Sequence, residues 1–213
     1  MLTLVDYGES FVFFVLLAFS IIALAVIIER AIIFSRNTNK NAKKSLKNIM
    51  SKMREHDVES AIHMEETHSN IYEDFAKFSL NFFNKKHDGL PDLMQGKILE
   101  EKLNLEKRLS ILNTLGNNAP FIGLLGTVLG VIKAFHGLGT LGATGADVVM
   151  RSISKALLAT AGGLFIAIPV VMSNNYFTRK VKIIIQNLEI LSREFIAGYT
   201  HKHKQKRAKK KGA

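Results

Sequence analysis

The sequence predicts an all-α integral membrane protein with three transmembrane helices and a long helical cytoplasmic stalk. Three apolar stretches contain no charged residue, and each is long enough to cross about 30 Å of hydrocarbon as a helix: Phe11–Ile28, Leu109–Ile132 and Ala156–Ser173. The chain has only 213 residues, so too little polar protein remains to wrap all three as buried core helices. The polar segments between them also have helical patterns, which completes the all-α prediction.

The first apolar stretch is expected to remain as a membrane anchor rather than to be cleaved as a signal peptide. It is preceded by Asp6 and Glu9 but by no Lys or Arg, and no small-x-small cleavage site follows Ile33. Behind it, a run of Lys and Arg without any acid extends from Arg30 to Arg54. The positive-inside rule therefore predicts a cytoplasmic location for this run and an external N-terminus.

The positive-inside rule also predicts the side of the membrane on which the remaining segments lie. The predicted division is a periplasmic N-terminus at 1–10, transmembrane helix 1 at 11–33, a cytoplasmic helical region at 34–108, transmembrane helix 2 at 109–136, a periplasmic loop at 137–147, transmembrane helix 3 at 148–175, and a cytoplasmic helix with a basic tail at 176–213. The tail is basic, whereas the loop carries Asp147 and no base. Orientation and attraction to anionic lipids account for most of the net charge of +11, so no nucleic-acid partner is predicted.

Mixed polar and apolar faces predict cytoplasmic helices over Lys40–Met53 and Ile71–Phe83. The segment "HDGLPD" predicts a turn in which Pro91 begins a helix, and that helix is expected to run without a boundary into the second span. Beyond the third span, apolar residues recur at alternating intervals of four and three: Phe177, Val181, Ile184, Leu188, Leu191 and Phe195. This pattern favours packing on the helix that begins at Pro91 over a dedicated oligomer seam, and both readings stay open.

Small residues in the second and third spans predict close packing of helices. In lipid, helices gain nothing from burying Leu against Leu, so tight association relies on residues that let backbones approach. The predicted packing residues are Ala119, Gly123, Gly126 and Gly130 in the second span, and Ala156, Ala159, Gly163 and Ala167 in the third. Pro120 and Pro169 each remove a backbone donor and are predicted to kink their helices.

Three polar side chains in these spans are candidates for function: the hydroxyls of Thr127 and Thr160, and the ammonium of Lys155. A charge at mid-bilayer costs about 2.5 to 3.5 kcal/mol unless it meets water or a counter-ion. Lys155 either snorkels to the external interface or faces a polar interior, and the second reading is favoured.

The segment "GLLGTVLGVIKAF" (123–135) followed by "ISKALLATAGGLFIAIPVV" (153–171) resembles the paired signatures of the ExbB/TolQ/MotA proton-channel family. The layout is most similar to the ExbB branch, with TolQ as the alternative. The resemblance implies a motor subunit of the bacterial inner membrane with no enzymatic chemistry and no cofactor. It also implies a homo-pentamer around a dimer of an ExbD-like or TolR-like single-span protein, with a TonB-like protein carrying the work to the outer membrane.

In that family, protons cross at an aspartate of the single-span partner. By resemblance, Thr127 and Thr160 match threonines of the pore, and Lys155 belongs to the same proton pathway. The chain departs from the ExbB pattern at Lys155, where that pattern has a glutamate. Lys155 is therefore expected either to pair with the partner's aspartate or to lie at a subunit boundary.

Other motifs are weaker. The segment "GLGTLG" (137–142) spells a dinucleotide fingerprint but follows a membrane helix rather than a strand, so no nucleotide site is predicted. His201 and His203 are expected to be solvated rather than metal-bound, and His136 to be an interfacial residue rather than a proton relay. A non-conducting membrane scaffold and a membrane-anchored enzyme remain as alternatives, although no nucleophile–base pair or metal cluster supports the enzyme.

Overall fold

The computed structural model describes residues 2–54, 70–83, 89–141 and 146–211. Within these ranges there are six α-helices: α1 (Leu2–Thr38), α2 (Lys40–Arg54), α3 (Ile71–Phe83), α4 (Leu90–Glu106), α5 (Leu109–Leu141) and α6 (Ala146–Lys211). The described ranges contain no strand, which confirms the predicted all-α class. The predicted helices at Lys40–Met53 and Ile71–Phe83 are confirmed as α2 and α3.

Three helical stretches are long and apolar enough to cross a membrane, one for each predicted span. They lie within Tyr7–Arg54, Leu90–Gly139 and Val149–Thr200. The number of spans is therefore confirmed by length and composition. The orientation of the chain and the cytoplasmic stalk stay predictions.

The chain divides into two compact units. The first, here called the apolar unit, comprises Met1–Arg30 and Arg108–Thr178, and the second, the polar unit, comprises Ala31–Lys107 and Arg179–Ala213. The apolar unit contains the apolar stretches of α1, α5 and α6. Its core is a cluster of Val12, Leu16 and Ala159, against which further apolar side chains pack from α5 and α6, namely Ile122, Leu129 and Ile166.

Helix α1 is apolar on nearly all sides within this unit. Its buried stripe follows helical spacing and includes Val5, Val12, Leu16, Ala23 and Val26. Large apolar side chains on the rest of its surface remain exposed, among them Phe11, Phe14, Leu17, Ile21 and Leu24. A helix that is hydrophobic all round and only partly covered by protein is typical of a membrane span.

The polar unit is built around the second half of α6. The apolar residues with alternating spacing are buried there: Val181, Ile184, Leu188, Leu191 and Phe195. Met94 and Ile98 of α4 are buried in the same unit, and the Ser192 hydroxyl lies 3.5 Å from the Met94 sulfur. Packing on the helix that begins at Pro91, the favoured reading, is therefore confirmed, and Pro91 itself lies in the first turn of α4.

The expected unbroken helix from Pro91 into the second span is wrong. Helix α4 ends at Glu106, and α5 begins at Leu109. Arg108 adopts φ = 64°, a left-handed conformation that interrupts a right-handed helix. No Gly or Pro marks this break in the sequence, and the Arg108 guanidinium is ion-paired to Glu29 of α1. The break therefore coincides with a contact between segments that lie far apart in the chain.

The connection between the second and third spans is short. Helix α5 continues to Leu141, beyond the predicted end of the span at 136, and α6 begins at Ala146. Gly137–Leu141 is thus helical rather than part of a loop. Pro120 and Pro169 lie inside α5 and α6, which are helical on both sides of them.

Candidate functional site

The backbones of α5 and α6 touch in the middle of the apolar unit. A Cβ atom added to Gly123 would lie 2.8 Å from the Ala159 carbonyl oxygen, and one added to Gly163 would lie 2.6 Å from the Ala119 carbonyl oxygen. Both distances are shorter than van der Waals contact, so only glycine fits at these two positions. The two helices run antiparallel, because successive contacts step forward along α5 and backward along α6.

The other predicted packing residues of α5 extend this contact toward the C-terminal end of that helix. The α-carbon side of Gly130 faces Ala156, and that of Gly126 faces both Ala159 and Val12 of α1. Ala167 is buried as well. Small residues therefore bring all three apolar helices together, in agreement with the physics of helix association in lipid.

The two threonines occupy different environments. The Thr160 hydroxyl donates a hydrogen bond to the Gly123 carbonyl oxygen across the α5–α6 contact, at 3.1 Å. The half-buried Thr127 donates to the Leu124 carbonyl oxygen of its own helix, at 2.6 Å. Each hydroxyl thus directs its proton at a carbonyl and retains oxygen lone pairs that accept from another donor. The structure does not bring the two hydroxyls onto one common group within a single chain.

Lys155 has a partner within the chain. Its ammonium lies 3.5 Å from Oε2 of Glu9 on α1, and the Lys133 ammonium of α5 lies 3.4 Å from the same oxygen. The side chain of Glu9 is 5% exposed, whereas that of Lys155 is 53% exposed and lies 5.9 Å from the centre of the Phe13 ring. We call these three charged residues the Glu9 cluster. It joins α1, α5 and α6 at one end of the apolar unit.

Sequence reasoning missed Glu9 as a site residue, because it assigned residues 1–10 to a periplasmic terminus. A signal was nevertheless available. Glu9 follows Val5 by four residues and precedes Val12 by three, so it lies on the same face of a helix as these two apolar residues. An acid on a buried face predicts a cationic partner, and Lys133 and Lys155 lie at the edges of the other two apolar stretches.

A second ion pair joins α1 to α5 at the opposite end of the apolar stretch. Glu29 accepts hydrogen bonds from Arg30, its neighbour in α1, and from Arg108 at the start of α5. Arg30 is only 3% exposed. Carboxylates of α1 therefore meet cations at both ends of the apolar stretch.

No metal or nucleotide site is apparent in the described residues. They contain no group of three His, Asp or Glu side chains close enough to hold a metal ion. The side chains of His201 and His203 lie outside the described part of the chain. The glycine-rich segment at 137–141 belongs to helix α5 and follows no strand, so it lacks the turn that a dinucleotide fingerprint requires.

The sequence also matches a known protein family. A sequence profile of the MotA/TolQ/ExbB proton channel family matches residues 28–190, which include all of α5 and the contact between α5 and α6. The chain belongs to the MotA/TolQ/ExbB proton channel family. This membership and the three apolar helices indicate a protein of the bacterial inner membrane.

Individual members of the family are similar over part of their length. The biopolymer transport protein ExbB of Helicobacter pylori (strain J99) is 42% identical over 89 residues, which cover 42% of this chain and 61% of that protein. ExbB of Aquifex aeolicus is 45% identical over 78 residues, covering 37% of this chain and 53% of that protein. The Tol-Pal system protein TolQ of Pseudomonas aeruginosa is 37% identical over 110 residues, covering 52% and 48%. The chain thus spans about half the length of the curated relatives it matches.

Proposed function

We propose that this protein is the ExbB-like subunit of an inner-membrane motor driven by the proton-motive force. With an ExbD-like partner, it energises TonB-dependent transport across the outer membrane. The observation that carries the proposal is the family match over residues 28–190, which contains both spans with the candidate threonines. The protein acts through assembly and proton conduction, without enzymatic chemistry or a cofactor.

In the proposed assembly, five copies surround a dimer of the ExbD-like or TolR-like single-span protein. A face of α5 supports this arrangement, because Leu124, Val128 and Val131 are exposed on it in the single chain and the half-buried Thr127 lies among them. The hydroxyl of Thr127 is a polar group on an otherwise apolar surface. A neighbouring helix with a carboxyl group would complement it better than lipid does.

Thr127 and Thr160 serve the proton step through the two-sided chemistry of a hydroxyl. While each hydroxyl donates its own proton to a backbone carbonyl, its oxygen accepts a hydrogen bond from a protonated carboxyl of the partner. When that carboxyl is ionised, rotation about the Cβ–Oγ bond turns the same hydroxyl into a donor. Lys155 is the cation of this pathway and faces the partner with its exposed side. The basic segment from Arg30 to Arg54 and the basic tail hold anionic lipid headgroups.

Proton uptake by vesicles tests the proposal. The chain is reconstituted with its proposed single-span partner, and a potassium diffusion potential drives the uptake. Replacing Thr160 by Val should lower uptake at least about tenfold, because a positioned proton-transfer group contributes factors of this size or larger. Thr160→Ser keeps the hydroxyl and should retain most of the uptake.

The matched control replaces the partner's aspartate by asparagine, which should abolish uptake. If wild-type vesicles show none, or if Thr160→Val conducts normally, the proposed proton pathway is wrong. A complex that assembles without any flux would favour the non-conducting scaffold.

A TolQ-like role is the second candidate, because the similarity to TolQ covers 52% of this chain, more than the similarity to either ExbB protein described above. Deletion of the gene separates the two roles. Loss of TonB-dependent uptake with an intact outer-membrane barrier supports the ExbB-like role, whereas a leaky outer membrane with normal uptake supports the TolQ-like role.

A further inference from the structure

Glu9 is the least exposed member of its cluster. Its side chain is 5% exposed, compared with 27% for Lys133 and 53% for Lys155. An isolated ionised carboxylate in such a place is costly, and the two ammonium groups offset this cost. Since both lysines contact the same carboxylate oxygen, either one can be lost with the other still in place. Loss of Glu9, by contrast, removes the carboxylate that both lysines share.

The packing of α1 holds the carboxylate where it is. A Cβ atom on Gly8 would lie 3.0 Å from the Leu129 side chain of α5, so the backbone of α1 approaches α5 closely one residue before Glu9. One turn later, Val12 is buried against Gly126. Glu9 therefore sits on a rigid stretch of α1 between two apolar contacts, and its position does not depend on the lysines alone.

The cluster leaves one side of Lys155 open. Glu9 approaches the ammonium from α1, yet about half of the Lys155 side chain is exposed, and the Phe13 ring lies beside it. Two lysines and one glutamate carry a net charge of +1. The exposed side of Lys155 therefore presents a positive charge to any group outside the chain, while Glu9 holds the ammonium from the side of α1.

From this geometry we propose that Glu9 is a positioning residue of the proton-transfer site. Its buried carboxylate fixes the Lys155 ammonium and partly offsets its charge, so that Lys155 acts within a three-helix cluster and not as an isolated cation. The carboxylate of Glu9 on α1 lies 3.5 Å from the ammonium of Lys155 on α6. The role in proton transfer rests on the proposed function, whereas the ion pairing does not.

A charge swap tests the ion pairing without any measurement of flux. Unfolding of the purified full-length chain in detergent is compared for Glu9→Lys, Lys155→Glu and the double variant. Each single reversal should destabilise the fold. In the double variant, the ratio of folded to unfolded protein should be about tenfold higher than the two single effects added together would give, because neighbouring residues in one network are coupled. Asp147→Lys is the matched control, because Asp147 is an exposed acid of α6 and should show no such coupling to position 155. Additive effects of Glu9→Lys and Lys155→Glu would overturn the proposal.

The pH dependence of proton uptake tests the positioning role. Besides the cluster itself, the charged or titratable residues next to it in sequence, among those whose side chains the structure describes, are Tyr7 on α1, His136 on α5, and Asp147 and Arg151 on α6. With Glu9→Gln, the pH of half-maximal uptake should move lower by about one unit, because the charge of Lys155 is no longer partly offset by the Glu9 carboxylate and favours the ionised form of a carboxyl brought against it.

Leu16→Ala is the structural control for the uptake experiment. Leu16 is buried in α1 two turns beyond Glu9 and carries no charge, so the variant should reduce the amount of assembled protein and leave the pH of half-maximal uptake unchanged. An unchanged pH profile for Glu9→Gln would overturn the positioning role. If wild-type vesicles take up no protons, the proposed function fails, and with it the role of Glu9 in proton transfer, while the charge swap still decides whether the cluster exists.

Discussion

Gly162 and Gly163 are neighbours in α6 but differ in their surroundings. A Cβ atom on Gly163 would collide with the Ala119 carbonyl oxygen, whereas one on Gly162 would meet only the Leu16 side chain, at 3.8 Å. Gly163→Ala should therefore destabilise the protein by about 1 to 3 kcal/mol, the usual cost of overpacking. Gly162→Ala should be neutral or stabilising, because alanine is the better helix former.

Thermal unfolding in detergent measures both glycine variants under the same conditions. The pair is well matched, since the two substitutions have the same effect on helix propensity and differ only in steric contact. Equal unfolding midpoints would contradict the close approach of α5 and α6.

Tyr72 of α3 and Asn187 of α6 form a partly buried hydrogen bond in the polar unit. The Asn187 amide donates a hydrogen bond to the phenol oxygen at 3.1 Å. Burial raises the pKa of Tyr72 above its usual value of 10.0, and the hydrogen bond from Asn187 opposes part of this rise. A raised folded-state pKa means that the contribution of the neutral phenol to stability is complete below pH 10.0 and is lost as the pH rises through the folded-state value.

The variant Tyr72→Phe tests this link. At neutral pH it should cost about 1 kcal/mol, because the Asn187 amide loses its partner. Above pH 10 the variant should lose less stability than the wild type with further increase in pH, because it has no phenol to ionise. Unfolding midpoints measured across the alkaline range provide the comparison, and parallel curves for the two proteins would show that Tyr72 does not titrate in this way.

At the scale of the elements, the junction between α4 and α5 depends on one residue. Arg108 combines a left-handed backbone with an ion pair to Glu29. The variants Arg108→Gly and Arg108→Ala both lose the ion pair, but only glycine adopts a positive φ without strain. The glycine variant should therefore be more stable than the alanine variant by about 1 kcal/mol.

Denaturant unfolding of the two Arg108 variants in detergent measures this difference. The comparison isolates the backbone, because neither replacement carries a charge. If the alanine variant is equally stable, α4 and α5 form one continuous helix in solution, as the sequence alone predicts.

At the scale of the whole molecule, the assembly is the main expectation. The apolar unit leaves large apolar side chains of all three helices exposed, for example Phe14, Phe121 and Phe165. Lipid covers some of this surface, and in the proposed ring neighbouring copies and the single-span partner cover the rest. The mass of the solubilised protein, corrected for detergent, should correspond to a pentamer, and it should increase by two partner chains when the single-span protein is co-expressed. A monomeric mass under both conditions would contradict the proposed ring.

The sequence by itself determined the class of the protein and its three spans. These follow from the length of each apolar run compared with the thickness of a bilayer, which is a property of residues that are consecutive in the chain. Helices α2 and α3 were predictable for a similar reason, because the faces of a short amphipathic helix are set by local spacing. The small residues of α5 and α6 likewise stood at helical intervals in the sequence.

Only the tertiary structure decided which of these residues meet. The sequence places Glu9 in helical register with apolar residues, but only the structure shows its carboxylate between two lysines that lie 124 and 146 positions away. The break at Arg108 has no local marker either, and there the ion pair to Glu29 accompanies a backbone conformation that local propensity disfavours. In both cases the stabilising free energy comes from contacts between segments that are distant in the chain, and those contacts depend on how the helices pack.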